Sequence, residues 1–344
     1  MNNKPYIIAE AGVNHNGSLS LAKKLIDSAK SAGADAVKFQ TWKKGELTGS
    51  FTKNVSYIKK NLNSKIKRSD LSNKLQLSYD DFIFLQKYAK KKDITFLTTP
   101  DGFESLHFVT KILKVPYLKI GSTELNHSAF LTEAAKQKIP LIVSTGMSNF
   151  EEIKIAVNTI KKYQKNFTIL HCTSEYPVIS KNANVLSIKF LKDKLKVNVG
   201  FSDHTLGNTA SVIAIGLGAT IIEKHLTLDK DMDGPDHKMS LNPKQFKDFV
   251  YELEVASDLL GSYKKIPTIN ELKSLPNIRR GAVASRDLEK NTIIKTDMVV
   301  AKRPFLEIEP NQIKKIIGRK LLKNLKKDQP IKWKYLQNNY AFKK

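Results

Sequence analysis

Residues 197–205 read VNVGFSDHT, an apolar run that closes on an acid and an imidazole. Seven other segments repeat the layout: YIIAEAG (6–12), AVKFQT (36–41), ITFLTTP (94–100), YLKIGS (117–122), LIVSTG (141–146), FTILHCT (167–173) and TIIEKHL (220–226). In each, apolar residues come first and nearly without interruption, as expected of strands covered on both faces. Polar residues gather at the C-terminal ends. The intervening segments have helical spacing, with Leu19, Ala22, Leu25, Ile26 and Ala29 in one and Ile153, Ala156, Val157 and Ile160 in another. Ser18 and Ser148 read as N-caps, and Gly33 and Pro140 mark helix exits. Eight β-α units in one domain predict an α/β fold of the (β/α)8 TIM-barrel type, with its chemistry at the C-terminal strand ends. An open doubly wound sheet is the alternative, but no G-x-G-x-x-G follows the first strand.

Two stretches depart from the repeat. Residues 42–78 are long, basic and polar, and read as a lid-like insertion or a mobile loop. After the last barrel helix (243–261) comes KKIPTINELKSLPNIRRG, a linker-like passage with two prolines. Beyond it AVASRDL, TIIKTDMVVAKRP and QPIKWKYL read as short strands. The expected organisation is a barrel over 1–262, a linker over 263–280 and a small β-rich module over 281–344.

Composition narrows the function. Hydrophobic content of 41% and charged content of 26% over 344 residues are those of a globular protein, with enough length for a large core. No apolar run approaches the ~20 residues that span a bilayer, and MNNKPYIIAEAG lacks a signal-peptide layout. With the single cysteine, Cys172, this points to a cytoplasmic protein without disulfides. The net charge of +25 is spread over nearly every segment, lysine outnumbers arginine, and no aromatic residues interleave with the basic ones. That pattern fits a solvated surface that attracts anionic small molecules better than a nucleic-acid reader.

In a barrel the strand ends converge on one pocket. Lys38 and Lys119 lie inside strands, where an unpaired ammonium is costly to bury. Either they hold an anion, with hydroxyls of Thr99, Ser122, Ser144 and Ser202 completing a cradle, or they pair internally with Glu10 and Glu223. His204 follows the seventh strand and His225 closes the eighth. Neighbouring strands lie about 4.8 Å apart, so both imidazoles can share one divalent ion such as Mn2+, Mg2+ or Fe2+. Asp203 reads as support for that site rather than a ligand. His15, His171 and His237 are weaker ligand candidates, and His107 and His127 read as surface helix residues.

These residues sit in motifs that resemble the sialic acid synthase family (N-acetylneuraminate synthase and its legionaminic and pseudaminic relatives). The motifs are IIAEAGVNHNGS, VKFQT, FLTTP, YLKIGSTELN, IVSTGM, LHCTSEYP, VGFSDHT, IIEKHLTLD and GPDHKMSLNP, in family order. RRGAVASRDLEKNT and VVAKRP resemble the family's antifreeze-like (SAF) domain. The resemblance implies condensation of phosphoenolpyruvate with a 2-acetamido sugar aldehyde, giving a nine-carbon 2-keto acid and phosphate. It also implies a divalent metal, Mn2+ first with Mg2+ or Co2+ as alternatives, and a homodimer in which each SAF module caps the partner's barrel.

By motif, His204 and His225 become metal ligands, and Lys38, Thr99, Lys119, Ser122, Ser144 and Ser202 phosphoenolpyruvate contacts. Gln40, Tyr176, Asp236 and Arg303 become sugar contacts, with Arg303 coming from the other subunit. Glu124 matches the catalytic glutamate, and Glu10 is a second active-site acid. Ser174 stands where some members carry Asn, beside the phosphate contacts, and Asp101 replaces the commoner apolar residue. N-acetylmannosamine ranks first as the sugar and the legionaminic precursor, 2,4-diacetamido-2,4,6-trideoxymannose, second; pseudaminic acid synthesis ranks lower. An eight-carbon keto-acid synthase and a non-catalytic carbohydrate-binding protein are the outside alternatives. The SAF module speaks against the first of these, and the full set of site groups against the second.

Overall fold

The computed structural model describes residues 4–49, 51–62 and 66–338. The chain divides into two compact units, Met1–Gly261 and Ser262–Lys344. In the first, eight parallel strands follow the predicted runs: β1 (Tyr6–Gly12), β2 (Ala36–Thr41), β3 (Thr95–Pro100), β4 (Leu118–Ile120), β5 (Leu141–Ser144), β6 (Phe167–Cys172), β7 (Asn198–Asp203) and β8 (Ile221–His225). Their order is β3-β2-β1-β8-β7-β6-β5-β4, and β3 and β4 at its ends lie against each other. The sheet is therefore a TIM barrel. Among the described residues no helix is long and apolar enough to cross a membrane.

Period-two alternation makes the barrel two-faced. Ile8, Ala36, Leu97, Ile142, Leu170 and Ile221 meet inside as an apolar floor, with Tyr6 and Tyr117 against it. Their neighbours Ile7, Ala9, Val37, Phe96, Val143 and Ile169 point outward into the main core under the helices. That core receives Ala22, Leu25, Ile26 and Ala29 from the helix Leu19–Ser31, the apolar stripe anticipated from spacing. Ser18 caps this helix through its side chain, as expected. The cap of the helix Phe150–Lys161 falls one residue later than predicted, on Asn149 rather than Ser148. The reason is reciprocal bonding: Asn149 accepts from the Glu152 amide at 3.0 Å and Glu152 accepts from the Asn149 amide at 2.8 Å.

The 42–78 stretch is a structured insertion rather than a loop, although positions 50 and 63–65 lie outside the described residues. Helices Ser56–Asn61 and Arg68–Leu75 close a small core of Trp42, Ile58, Leu71 and Leu75 over Val13 of the β1 exit. The Asn61 side chain donates to the Pro235 carbonyl at 2.8 Å, tying the insertion to the segment after β8.

In the second unit, the passage read as a linker carries a helix, Ile269–Ile278. Its Thr268–Glu271 capping box outweighs the punctuation of Pro267 and Pro276. Two of the expected strands form an antiparallel pair, β9 (Gly281–Ala284) and β10 (Val299–Lys302). QPIKWKYL makes single bridges at Pro330 and Leu336 and a 3-10 turn at Trp333–Tyr335 instead of a full strand. Pro330 has no N–H with which to extend a ladder. The unit has its own core, including Leu288, Ile294, Ile308, Leu321 and Ile331. Residues 339–344 of the expected module lie outside the described residues.

Gly200 shows how tightly the barrel closes. A Cβ there would lie 2.5 Å from the Ile221 carbonyl oxygen and 2.6 Å from Leu170 Cδ2. Backbone of the neighbouring strand cannot retreat, so Gly200→Ala is expected to cost about 2–3 kcal/mol. A urea titration showing less than about 0.5 kcal/mol of destabilisation would contradict this packing.

Candidate active site

Two positions above the floor, every strand turns hydrophilic on the same inner face. This middle layer comprises Glu10, Lys38, Thr99, Lys119, Ser144, Ser202 and Glu223, with Cys172 completing it. Two positions further on come Gln40, Asp101, Ser174, His204 and His225. Apart from Glu10, all of these line one cavity of about 350 Å3, together with Ser122, Tyr176 and Asp236. Glu10 lies behind them, bonded to Gln40 at 3.1 Å.

The two lysines are paired internally. Lys38 Nζ is 2.8 Å from Glu10, 3.7 Å from Glu223 and 3.2 Å from Thr99 Oγ1. Lys119 Nζ is 3.3 Å from Glu223 and 2.9 Å from Ser144 Oγ, while Ser202 Oγ donates to Glu223 at 3.0 Å. All four charged side chains are at most 5% exposed, so each depends on the others. Burial works against every charge in the layer, but unequally. Glu223, between both ammonium groups, is held below the usual carboxylate range despite burial. Lys38, facing two carboxylates, is held above its ordinary value. Burial wins at the other two, raising Glu10 and lowering Lys119. The layer thus holds one firm charge of each sign and one easily neutralised group of each sign.

His204 and His225 meet above this layer with ring centroids 5.4 Å apart. His204 Nδ1 is 2.8 Å from the Thr173 carbonyl, which can only accept, so in the neutral ring the proton sits there and Nε2 keeps its lone pair. Burial, with His204 and Lys38 adding to it, pushes His225 far below the ordinary histidine range, and its Nδ1 is buried without a hydrogen-bond partner. His204 is different: against burial, Cys172 and the Thr173 carbonyl hold it above the ordinary histidine range. Once His204 gives up its second proton, the two imidazoles fit a divalent ion whose other positions go to water or substrate oxygens. Among the described residues no group of three His, Cys, Asp or Glu side chains gathers as a metal site.

Asp203 is turned away from the cavity. It accepts from the Thr205 amide and hydroxyl and from Ser211 Oγ, and lies 2.9 Å from Lys224 Nζ. Lys224 in turn donates to the Thr205 and Gly207 carbonyls. This buried pair, one partner beside each histidine, fixes the loop that carries His204.

The mouth is aromatic and apolar. Tyr176 packs at 4.3 Å from His204 and stacks on Tyr57 of the insertion at 4.8 Å. Trp42, Leu47, Val55, Leu71 and Leu75 line the same wall, joined by Arg68. Asp236 faces this end; burial raises its carboxyl to about 6, against the opposing pull of His204 and Arg68.

Besides Glu10, two predicted residues do not line this cavity. Glu124 ends the 3-10 turn Ser122–Glu124 and pairs with His127 at 2.7 Å, which also makes His127 more than a bystander. Arg303 lies exposed in the second unit. The weaker histidine candidates are held in protein hydrogen bonds: His15 to the Gly17 amide, His171 to the Ala183 carbonyl, and His237 to Thr227. Tyr57, Trp42 and Arg68 escaped the sequence reading because nothing in a polar loop says which residues turn inward. Asp101 was legible as an active-site group: it falls two residues after Thr99, in the inward register.

An eight-stranded barrel with a polar, charge-paired cavity at its C-terminal strand ends defines an enzyme of the TIM-barrel class. Residues 25–265 match the NeuB family model, and residues 279–337 match the SAF domain model. N,N'-diacetyllegionaminic acid synthase of Legionella pneumophila is 39% identical over 337 residues, covering 96% of this chain and 94% of the relative. The enzyme of the same name from Campylobacter jejuni is also 39% identical, covering 96% of this chain and 99% of its own. The crystal structure of N-acetylneuraminic acid synthetase from Leptospira borgpetersenii, in complex with citrate, superposes with a TM-score of 0.69 at 34% identity, covering 79% of this chain and 90% of that one. The chain belongs to the NeuB family, and it is a transferase of the sialic acid synthase type carrying a SAF domain.

Asp101 gives a direct test of the site's electrostatics. Burial, with Glu124 adding to it, raises its carboxyl to about 7. A folded-state value above the unfolded one means that stability is fully present below about pH 4 and declines as pH rises towards 7. Asp101→Asn removes that decline, so the variant should match wild type near pH 4 and exceed it by about 2 kcal/mol at pH 8, the size allowing for the group's partial contact with water. Thermal unfolding across this range checks it; a pH-independent difference would refute the assignment.

Proposed function

We propose that this protein condenses phosphoenolpyruvate with an acetamido sugar aldehyde to form a nine-carbon 2-keto acid and inorganic phosphate. The observation that carries this reading is the stacking, in one cavity, of a lysine- and hydroxyl-rich layer beneath a pair of histidines. Lys38 and Lys119, with Thr99, Ser122, Ser144, Ser174 and Ser202, receive the phosphate and carboxylate. Gln40, Tyr176 and Asp236 orient the sugar. His204 and His225 hold a divalent cation, Mn2+ or failing that Mg2+ or Co2+, which when bound supplies Lewis acidity to the aldehyde oxygen.

In the carbon–carbon bond-forming step, C3 of phosphoenolpyruvate attacks the aldehyde carbon and C2 becomes electron-poor. Water adds at C2, and cleavage of the C2–O bond expels phosphate, leaving the 2-keto group. Glu124 takes one proton of that water, with His127 orienting the carboxylate, and that proton balances the one gained by the former aldehyde oxygen as it becomes a hydroxyl; the second proton of the water leaves with phosphate as the C2–O bond breaks. Glu10, held by Lys38 and Gln40, keeps the middle layer in register and supplies the second acid. Of the two sugars, the apolar wall built by Trp42, Leu47, Leu71 and Leu75 suits a 6-deoxy sugar with two acetamido groups better than N-acetylmannosamine with its free hydroxyls. The names of the Legionella and Campylobacter relatives support the same choice. The proposed homodimer brings Arg303 of the partner subunit to the sugar.

A turnover assay with phosphoenolpyruvate, Mn2+ and each of the two sugars, following phosphate release and product mass, tests the reading. Product from neither sugar would reject it. Glu124→Gln is expected to lower kcat by about 10^2-fold or more while phosphoenolpyruvate still binds. Wild-type turnover in that variant would remove Glu124 from the chemistry. For Arg303, mixing inactive Arg303→Ala and His204→Ala chains should restore activity in mixed dimers, because one of the two sites then has both residues. Mixed dimers that form but stay inactive would count against the exchange.

A further inference from the structure

We propose that Arg68, carried by the insertion, is a specificity-determining residue that, with Asp236, reads the acylamino substituent of the sugar farthest from the aldehyde. Arg68 opens the helix Arg68–Leu75, and its carbonyl accepts from Ser72 Oγ at 3.0 Å. Its side chain makes no ion pair among the described residues, although it lines the same cavity as Asp236. Asp236, 7% exposed, likewise makes no ion pair among the described residues. The guanidinium lies near enough to favour the ionised carboxyl of Asp236, and both bear on the hydroxyl of Tyr57. Arg68 and Asp236 therefore line one cavity with a gap rather than an ion pair between them among the described residues.

The chemistry of that gap selects its occupant. A guanidinium only donates, so its ligand partner is an acceptor; an ionised carboxylate only accepts, so its partner is a donor. A hydroxyl offers both from one atom; an acylamino group offers them from separate atoms on opposite sides of a planar amide, a carbonyl oxygen to Arg68 and an N–H to Asp236, and adds a methyl. Its methyl then meets the apolar side chains of Leu71 and Leu75 on the helix that Arg68 begins. The reacting aldehyde belongs at His204 and His225 at the strand ends, whereas Arg68 stands on the insertion. The group being read is thus the remote acetamido substituent, which N-acetylmannosamine lacks. Phosphoenolpyruvate is excluded as the partner, because its charges are taken up one layer below by Lys38 and Lys119.

This inference rests on the proposed condensation, and the experiment separates the two. Steady-state kinetics are measured for wild type, Arg68→Met and Arg68→Lys with 2,4-diacetamido-2,4,6-trideoxymannose and with N-acetylmannosamine. Arg68→Met is expected to raise KM for the diacetamido sugar about 10- to 100-fold, the range for one lost polar contact in a specific site. KM for N-acetylmannosamine and for phosphoenolpyruvate should stay within about twofold, as should kcat with the diacetamido sugar, and Arg68→Lys should recover part of the loss. A rise in phosphoenolpyruvate KM, an equal effect on both sugars, or no effect overturns the assignment. So does a wild-type enzyme that accepts only N-acetylmannosamine. Wild-type inactivity with both sugars would instead reject the condensation itself, and unchanged thermal unfolding of Arg68→Met shows that the loss is not one of folding.

Discussion

The buried quartet of Glu10, Lys38, Lys119 and Glu223 is the constraint from which the rest of this molecule follows. Four ionisable groups in a dry barrel are tolerable only in mutual contact, so each fixes the strand that bears it. Glu10 stands opposite both Lys38 on β2 and His225 on β8 in the strand register, and Glu223 stands opposite Ser202 on β7. A slip of one residue in any of these strands would turn its charge outward and leave its partners unpaired. The quartet therefore both sets the barrel's register and prepares a surface on which a small anion can replace internal partners.

The histidine pair depends on a second, separate clamp. Asp203 and Lys224 each neighbour one histidine and bond to each other on the opposite side of the sheet. The sequence reading expected Asp203 to be support rather than a ligand; in the structure it bonds to Thr205 and Ser211, and its partner Lys224 to Gly207. The loop that carries His204 is thus pinned by a polar cluster none of whose residues line the cavity.

The eight strands were legible because burial on both faces leaves near-continuous apolar runs, and because polar residues have no reason to close such a run unless a site lies there. The inward register of Lys38, Lys119, Ser144 and Ser202 followed from the same period of two. Pairing among the charges was open, since sequence spacing does not say whether a lysine meets a glutamate or a ligand. Asn149 and Thr268 show a different limit: capping is decided by reciprocal bonds to Glu152 and Glu271, which compete with nearby serines and prolines that look equally suitable. The insertion was hardest. Its small core of Trp42, Ile58, Leu71 and Leu75 is diluted by lysines and serines, so no periodic stripe reveals which side faces the barrel.

The insertion also divides the cavity by provenance. The floor of the site draws one residue from each strand, so altering any of them disturbs a ring of mutually dependent partners. The wall over the mouth comes largely from one contiguous stretch, docked through Val13 and the Asn61–Pro235 bond. Such a stretch can be exchanged as a graft without reworking the ring beneath it. A barrel built this way can keep one half of its chemistry constant while the other diversifies by replacement of a single loop cassette.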